Sequence, residues 1–405
     1  MRKMVMLSLD AFFDRDLSLL TPGGFLEGWL KRGACCTSVK TVFPALTYPA
    51  HTTLITGCDP ARHGVGQNQP FAPDTPAENR AWYWDASCIR SETLFDAVKR
   101  GGGRCASVLW PVTGKNPSIR WNFPEVLALP GENQVLKMLR YGTAPWILHM
   151  ELKHGRDRVS THEPHLSDYA VTLVEDVLAA HQPDLTAAHL VDLDEMRHHH
   201  GVESPEAVAA IHRLEARVER VDAAMRRIPG MRDAYLVLVS DHGQADVSVT
   251  VNLEEVLEKA GLGGQFRVQS NGMSAYLFPS SDRSDADAAS GYFSAFGEKL
   301  GVSRVYDRAA LDALGCVAGP ALAVEAGPDV VFEDGLPQAK REKATHGFGP
   351  GSPAENCLLA VRGPDVREGA RLPSMPMRDV APTLADLMGV SLPGCQGVSH
   401  VDEMR

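Results

Sequence analysis

"AYLVLVSD", residues 234–241, is an apolar run that stops on an aspartate. "KMVMLSLD" at 3–10 and "TAAHLVDLD" at 186–194 end the same way, and "RCASVLW" at 104–110 is a fourth short apolar run. Runs of this kind predict strands buried on both faces. Between them lie segments with helical spacing, at about 88–100, 168–181 and 204–228; the last contains "PEAVAAIHRLEARVERVDAAM", with apolar residues three and four apart. Strands and helices in alternation predict an α/β fold: a mostly parallel central sheet with helices on both faces. Ligands of such sheets bind beyond the carboxyl ends of the strands. Three aspartates delivered there by three strands therefore predict one shared site.

A chain of 405 residues, 44% of them hydrophobic, is long enough to form a single large domain over 1–405. Two stretches, about 112–165 and 263–335, lack clear periodicity. They are expected to be insertions forming a small cap or substrate-access region, although the second contains the strand-like "GMSAYLF" (272–278) and "PDVVFED" (328–334). The opening "MRKMVMLSLDAFF" is basic and then apolar, but Asp10 interrupts it and no small-residue cleavage site follows, so it reads as a first strand and not a leader. No run of about 18 apolar residues predicts a membrane span. The eight cysteines form neither a disulfide framework nor a C-x-x-C site, and a cytoplasmic location is the expectation. A net charge of -11 argues against polymeric nucleic acid as partner. A small phosphate ester remains compatible, because a bound metal reverses the sign of the local field.

Four separated segments supply side chains suited to a metal: "SLDA" with Asp10, "DEMRHHHG" with Asp194 and His198, "SDHGQ" with Asp241 and His242, and "THGFGP" with His346. Three carboxylates and three imidazoles suit zinc better than calcium or magnesium, and six ligands suffice for two ions. Each segment alone is ordinary, since an aspartate at a strand end often caps a helix and a lone histidine is usually a satisfied side chain. Their joint occurrence carries the argument. A second question lies in "TYPAHTTLITGCDPARHG" (47–64), where Cys58 begins a C-x-P-x-R pattern of the sulfatase kind and Thr47 offers a hydroxyl nucleophile.

Taken together, "SLDA", "FPALTYPAHTTLITGCDPARHG", "DLDEMRHHHG", "LVSDHGQ", "THGFGP" and the C-terminal "MRDVAPTLADLMGV" (377–390) resemble the alkaline phosphatase superfamily, in its branch of type I phosphodiesterases and nucleotide pyrophosphatases. The resemblance implies an alkaline phosphatase-like fold and two divalent ions, zinc by preference. Asp10, Thr47, Asp241 and His242 would hold one ion, and Asp194, His198 and His346 the other. Asp194, His198 and Gly201 keep the family's D-x-x-x-H-x-x-G spacing, which ranks Asp192 second as a ligand. The family's nucleophile stands nine residues before the threonine of a T-G pair; Thr56-Gly57 is that pair, which selects Thr47 over Cys58. Asn68 matches the residue that holds a non-bridging phosphate oxygen, and Tyr48 occupies the place of an aromatic wall for the substrate. Where nucleotide-specialised members usually have asparagine, this chain has Ala50.

The implied activity is hydrolysis of small phosphodiesters or pyrophosphates, possible nucleotides among them, through a phosphothreonine-type intermediate. The alternatives within the superfamily are phosphonoacetate hydrolase-like and phosphomonoesterase activity on the same site. Both need cationic side chains at the substrate, for which Lys115 and Arg120 are the candidates. Sulfatase chemistry and a catalytically silent binding protein rank below these.

Overall fold

The computed structural model describes residues 1–76, 79–156, 158–333 and 342–405. Its central sheet consists of β1 (Met4–Leu9), β2 (Ala34–Lys40), β3 (Cys105–Val108), β4 (Ile119–Phe123), β5 (Leu185–Leu190), β6 (Tyr235–Val239), β7 (Asn356–Arg362) and β8 (Met375–Pro376). Across the sheet they run β8-β2-β7-β6-β1-β5-β3-β4. β7 is antiparallel to both its neighbours, and the other pairings are parallel. β1 lies between β5 and β6, pairing Met4 with Leu185 on one side and Tyr235 on the other. Asp10, one residue beyond β1, and Asp241, two beyond β6, therefore leave the same edge of the sheet side by side.

The helices that cover the sheet and frame this edge are α1 (Phe25–Arg32), α2 (Thr47–Thr56), α3 (Leu94–Arg100), α4 (His165–His181), α5 (Asp192–His200), α6 (Pro205–Arg227) and α7 (Val380–Met388). Alternation along β1 assigns the two faces. Val5, Leu7 and Leu9 pack into a core with Trp29, Leu173, Val177 and Leu214 of α1, α4 and α6. Met4 and Met6 pack on the other side with Leu54, Phe95 and Leu384 of α2, α3 and α7. This two-sided burial is why the strands read as continuous apolar runs. No helix among the described residues is long and apolar enough to cross a membrane.

The run at 186–194 is shorter as a strand than its pattern suggests. The backbone turns to helical values at Val191, and α5 begins at Asp192, with Asp192, Asp194 and Glu195 in its first turn. Acidic side chains there oppose the positive end of the helix dipole, a signal that alternation in "VDLD" conceals. Asp194 thus comes from a helix, and the third aspartate is not a strand-end residue.

Both stretches expected to be irregular contain regular structure. In 112–165, β4 forms the edge strand of the central sheet, and two helices follow at Gln134–Tyr141 and Ala144–His154. The second excursion leaves the sheet already at Ala245. It builds a four-stranded antiparallel sheet from Phe266–Ser270, Ser274–Pro279, Val302–Tyr306 and Leu322–Ala326, with its own core including Leu257, Phe293 and Val324. Ala245–Asn252 pairs in parallel with Asp329–Glu333 and, near its start, antiparallel with Ala344–Thr345. Residues 334 and 335 of the expected insertion, and with them the end of the strand expected at 328–334, lie outside the described residues.

Beneath α5, buried charges tie three helices together. Arg217, 1% exposed, donates to Asp192 Oδ2 at 2.6 Å, Asp168 Oδ1 at 2.9 Å and the Pro164 carbonyl at 2.7 Å, while Arg213 grips Asp192 through two further bonds. Glu163 lies next to this cluster. Its Oε2 accepts the Ser167 N–H, and its buried Oε1 meets no donor. Burial pushes its carboxyl up to about 7 from 4.5, with Asp192 adding to the effect and Ser167 opposing it. A carboxyl raised on folding contributes stability that is fully present below about pH 4.5 and is lost as pH rises through about 7. Unfolding midpoints in urea measured from pH 5 to 8 are therefore expected to fall in the parent protein and to fall less steeply in Glu163→Gln.

Candidate metal centre and nucleophile

The edge of β1 and β6 collects two groups of side chains, Asp10 with Asp241 and His242, and Asp194 with His198 and His346. Within each group the potential ligand atoms lie within 4.8 Å of one another. Each group is built by main-chain geometry that the sequence specifies only in part. Ala11 adopts φ 58°, a left-handed conformation unfavourable for alanine. Its N–H donates to Asp241 Oδ1 at 3.2 Å and its carbonyl accepts Arg197 Nη1 at 2.5 Å. Arg197 is fully buried and also pairs with Asp16, so the guanidinium fixes α5 to the turn that aims Asp10. His346 follows the short Ala344–Thr345 pairing on Ala245–Asp246.

One arrangement recurs at all six positions. Each carboxylate has one oxygen held by a protein donor: Asp10 Oδ2 by His189 Nε2 at 2.9 Å, Asp241 Oδ1 by Ala11, and Asp194 Oδ1 by Gln244 Nε2. Each imidazole has Nδ1 against a main-chain carbonyl: His242 on Gly243 at 3.2 Å, His198 on Ala344 at 2.9 Å, and His346 on Ala45 at 3.1 Å. An Nδ1–H bonded to a carbonyl fixes the tautomer that leaves the Nε2 lone pair available, the usual state of a metal-ligating histidine. The second oxygens of Asp10 and Asp241, Oδ1 and Oδ2, are buried and accept no hydrogen bond. Buried carboxylate oxygens without donors are strongly unfavourable, and a divalent cation is the partner that this donor set fits. His242 Nε2 lies 3.2 Å from Asp241 Oδ2 and 3.7 Å from Asp10 Oδ1, and His198 Nε2 lies 3.3 Å from Asp194 Oδ2.

The electrostatics agree with this fit. Burial, followed by the charge of Asp194, pushes Asp10 up to about 6, partly offset by His189. Asp241 is raised further by burial and by Asp10. Burial tends to raise Asp194 as well, but His198, His346 and His242 together hold it below the usual carboxylate range. Burial lowers both His242 and His346, with neighbouring imidazoles adding to the effect and Asp194 opposing it. His198 differs: burial acts to lower it, but Asp194 and Glu342, whose Oε2 lies 3.4 Å from its Nδ1, outweigh burial and raise it above its ordinary value, so a cation bound by Asp194 would take the place of that proton.

Thr47 is the first residue of α2, 7% exposed, with Oγ1 3.2 Å from His242 Nε2. It therefore sits beside the first group and at a helix N-terminus, where main-chain N–H groups favour an anion. Asn68 Oδ1 accepts the Tyr48 N–H at 3.0 Å, which fixes the amide beside the start of α2. The aromatic wall expected from Tyr48 is covered. Its ring is 1% exposed and packs edge-on against the half-buried Trp82, and its hydroxyl donates to Glu125 Oε1 at 3.1 Å. Cys58 lies beyond the C-terminal end of α2 from Thr47, fully buried, with Sγ facing the Thr56 and Gly394 carbonyls. Asp192 serves Arg213 and Arg217 and belongs to neither group. Lys115 pairs with Asp85 at 2.6 Å, and Arg120 stacks on Trp121.

Three residues that support the centre were not singled out from the sequence. His189, inside β5, bridges Asp10 to Glu125 Oε2 at 2.8 Å; a histidine in a wholly buried strand needs two partners, and that was the available signal. Glu125 falls in the stretch read as irregular. Gln244 stands within the quoted "SDHGQ" and makes a second, 3.2 Å bond to the Asp194 carbonyl.

A sequence profile described as type I phosphodiesterase / nucleotide pyrophosphatase matches residues 4–311. Human ectonucleotide pyrophosphatase/phosphodiesterase family member 1 is 25% identical over 256 residues, 59% of this chain and 23% of the human protein. Human family member 5 is 22% identical over 267 residues, 64% of this chain and 48% of the relative. The match thus spans less than half the length of these curated relatives. Among solved structures, murine ectonucleotide pyrophosphatase / phosphodiesterase 5 superposes with a TM-score of 0.73 at 18% identity, covering 98% of this chain and 97% of that one. A second structure of the murine protein, an inactive threonine-to-alanine variant in complex with AMP, gives 0.73 at 17% identity over the same shares. These likenesses establish an alkaline phosphatase-like fold.

Asp192, held by arginines, and Asp241, beside Asp10, should respond oppositely to substitution. Asp192→Ala is expected to lower stability in urea unfolding by about 3–5 kcal/mol, the range for breaking a buried ion pair. Asp241→Asn is expected to raise the unfolding midpoint of chelator-treated protein, because it removes a buried charge that Asp10 repels.

Proposed function

The chain belongs to the type I phosphodiesterase / nucleotide pyrophosphatase family, and from that premise we propose that it hydrolyses small phosphodiesters or pyrophosphates, nucleotides among them, with Thr47 as nucleophile and two zinc ions as cofactors. The observation that carries this reading is the juxtaposition of the Thr47 hydroxyl, 3.2 Å from His242 Nε2, with two groups of three residues whose candidate ligand atoms lie within 4.8 Å of one another. Asp10, Asp241 and His242 would hold one ion beside Thr47, and Asp194, His198 and His346 the other. Two such ions, when bound, acidify coordinated hydroxyl groups and neutralise charge on a transferring phosphoryl group.

The chain's own residues do the rest. Thr47 Oγ1, fixed at the start of α2, attacks phosphorus in line and expels the leaving alcohol or phosphate. The resulting phosphothreonine is then hydrolysed by water, which restores the hydroxyl. The Asn68 NH2 group donates to a non-bridging oxygen and stabilises the transition state without supplying a full positive charge, which favours a diester over a more highly charged monoester. The N-terminus of α2 favours the same anionic group. The ectonucleotide relative bound to AMP supports nucleotide esters as the first substrates to test. With Lys115 and Arg120 engaged by Asp85 and Trp121, no observation favours a phosphonoacetate or monoester substrate over a diester.

Thr47→Ala is expected to lose at least about 10³-fold in turnover of a nucleoside phosphodiester, the scale of removing a nucleophile, while retaining its zinc content. Undiminished turnover in that variant would overturn the assignment. Chelation should abolish activity and added zinc restore it. In a panel of nucleoside phosphodiester, phosphomonoester, phosphonoacetate and sulfate ester, the diester should be turned over fastest, and preference for any of the others would refute the substrate class.

A further inference from the structure

The segment Asp241–Asp246 serves both ligand groups. Asp241 and His242 belong to the first. Gln244 and Asp246 reach across to α5: Gln244 Nε2 donates to Asp194 Oδ1 and to the Asp194 carbonyl at 3.2 Å, and Asp246 Oδ1 accepts the Val202 N–H at 2.8 Å, just past the end of α5. Gln244 is 2% exposed, and its Oε1 is buried with no donor. The amide is thus oriented by Asp194 alone, at the expense of an unsatisfied acceptor. A packing role has no use for that arrangement, because an apolar side chain of the same length fills the space without an orphaned oxygen.

We infer that Gln244 is a positioning residue that holds Asp194 as a one-oxygen ligand of the second ion. With Oδ1 occupied by the amide, only Oδ2, on the side of His198 at 3.3 Å, is free for a cation. Asp194, His198 and His346 then supply one atom each, and a three-ligand site keeps a coordination position open for a substrate oxygen or water. Released from Gln244, Asp194 can rotate and chelate through both oxygens, which closes that position, or turn away from it. Partners of this kind are typically worth 10- to 100-fold in metal affinity. The inference rests on the two-ion reading given above.

The test is a zinc titration of metal-free protein in competition with a chromophoric chelator, repeated with cobalt(II) to record the visible spectrum of each bound equivalent. The variants are Gln244→Met, of equal length without the amide, and Gln244→Glu, which keeps the shape but cannot donate when ionised. Both are expected to bind one ion as the parent does and the other about 10- to 100-fold more weakly, with an altered cobalt spectrum for the weaker equivalent only. Parent-like affinity and spectra for both equivalents would overturn the inference. So would equal weakening of both equivalents together with a lower Tm of the metal-free variants, since that marks a structural role. A parent protein that binds a single ion would refute the two-ion reading itself, a result distinguishable from the others because it appears before any substitution.

Discussion

Three carboxylates that converge in a buried space repel one another, and the rest of the structure is arranged to hold them there. Asp10, Asp194 and Asp241 are each at most 9% exposed. No apolar packing would bring them together, and burial and mutual repulsion push Asp10 and Asp241 toward their neutral forms. What keeps them in place is covalent and topological. β1 and β6 are adjacent parallel strands, so the residues following them must emerge together, and Arg197 fastens α5 to the turn after β1. The large two-sided core supplies the stability against which this local strain is set. A site of this sort is destabilising by construction, and a bound cation would offset that cost.

The same requirement explains why the six residues of the two groups show one pattern of partners. An aspartate with both oxygens free, or a histidine with an unassigned tautomer, would have several orientations and a weaker site. The protein fixes one atom of each and leaves the other. It uses main-chain groups where a carbonyl or N–H is at hand, and side chains such as His189 where none is. Glu125 behind His189 extends this support to the hydroxyl of Tyr48, so Tyr48, next to Thr47, and Asp10 share one hydrogen-bonded chain.

Much of this was legible in the sequence, for physical reasons that differ by element. The central strands are buried on both faces and declare themselves as apolar runs, and α6 declares itself by its spacing and by the Ser204 cap and Pro205 at its start. The ligand residues stand at the ends of those elements, where their motifs are local in sequence. The edge strand β4 is not legible because "IRWNF" carries the polar Arg120 and Asn122, although only Arg120 is exposed. The antiparallel module was read as irregular because its strands are short and its pairing is set by contacts remote in sequence. The alternation in "VDLD" predicts a strand for Asp194, whereas acids at 192, 194 and 195 favour a helix start. Supporting residues such as Gln244 carry no sequence signature at all, since their role exists only once Asp194 is across from them.

The excursion between Ala245 and Thr345 is closed at its base, where these two residues pair antiparallel and Asp246 pairs with Ala344. One strand of that base follows Asp241 and His242, and the other precedes His346 and holds His198 through the Ala344 carbonyl. Because the two ends meet, the polypeptide leaves and re-enters the site at one place, a clasp, and the module is tied to it again where the Met273 N–H donates to the His346 carbonyl at 2.8 Å. Such a construction confines tolerance of inserted or foreign sequence to the parts of the module remote from the clasp and from Met273.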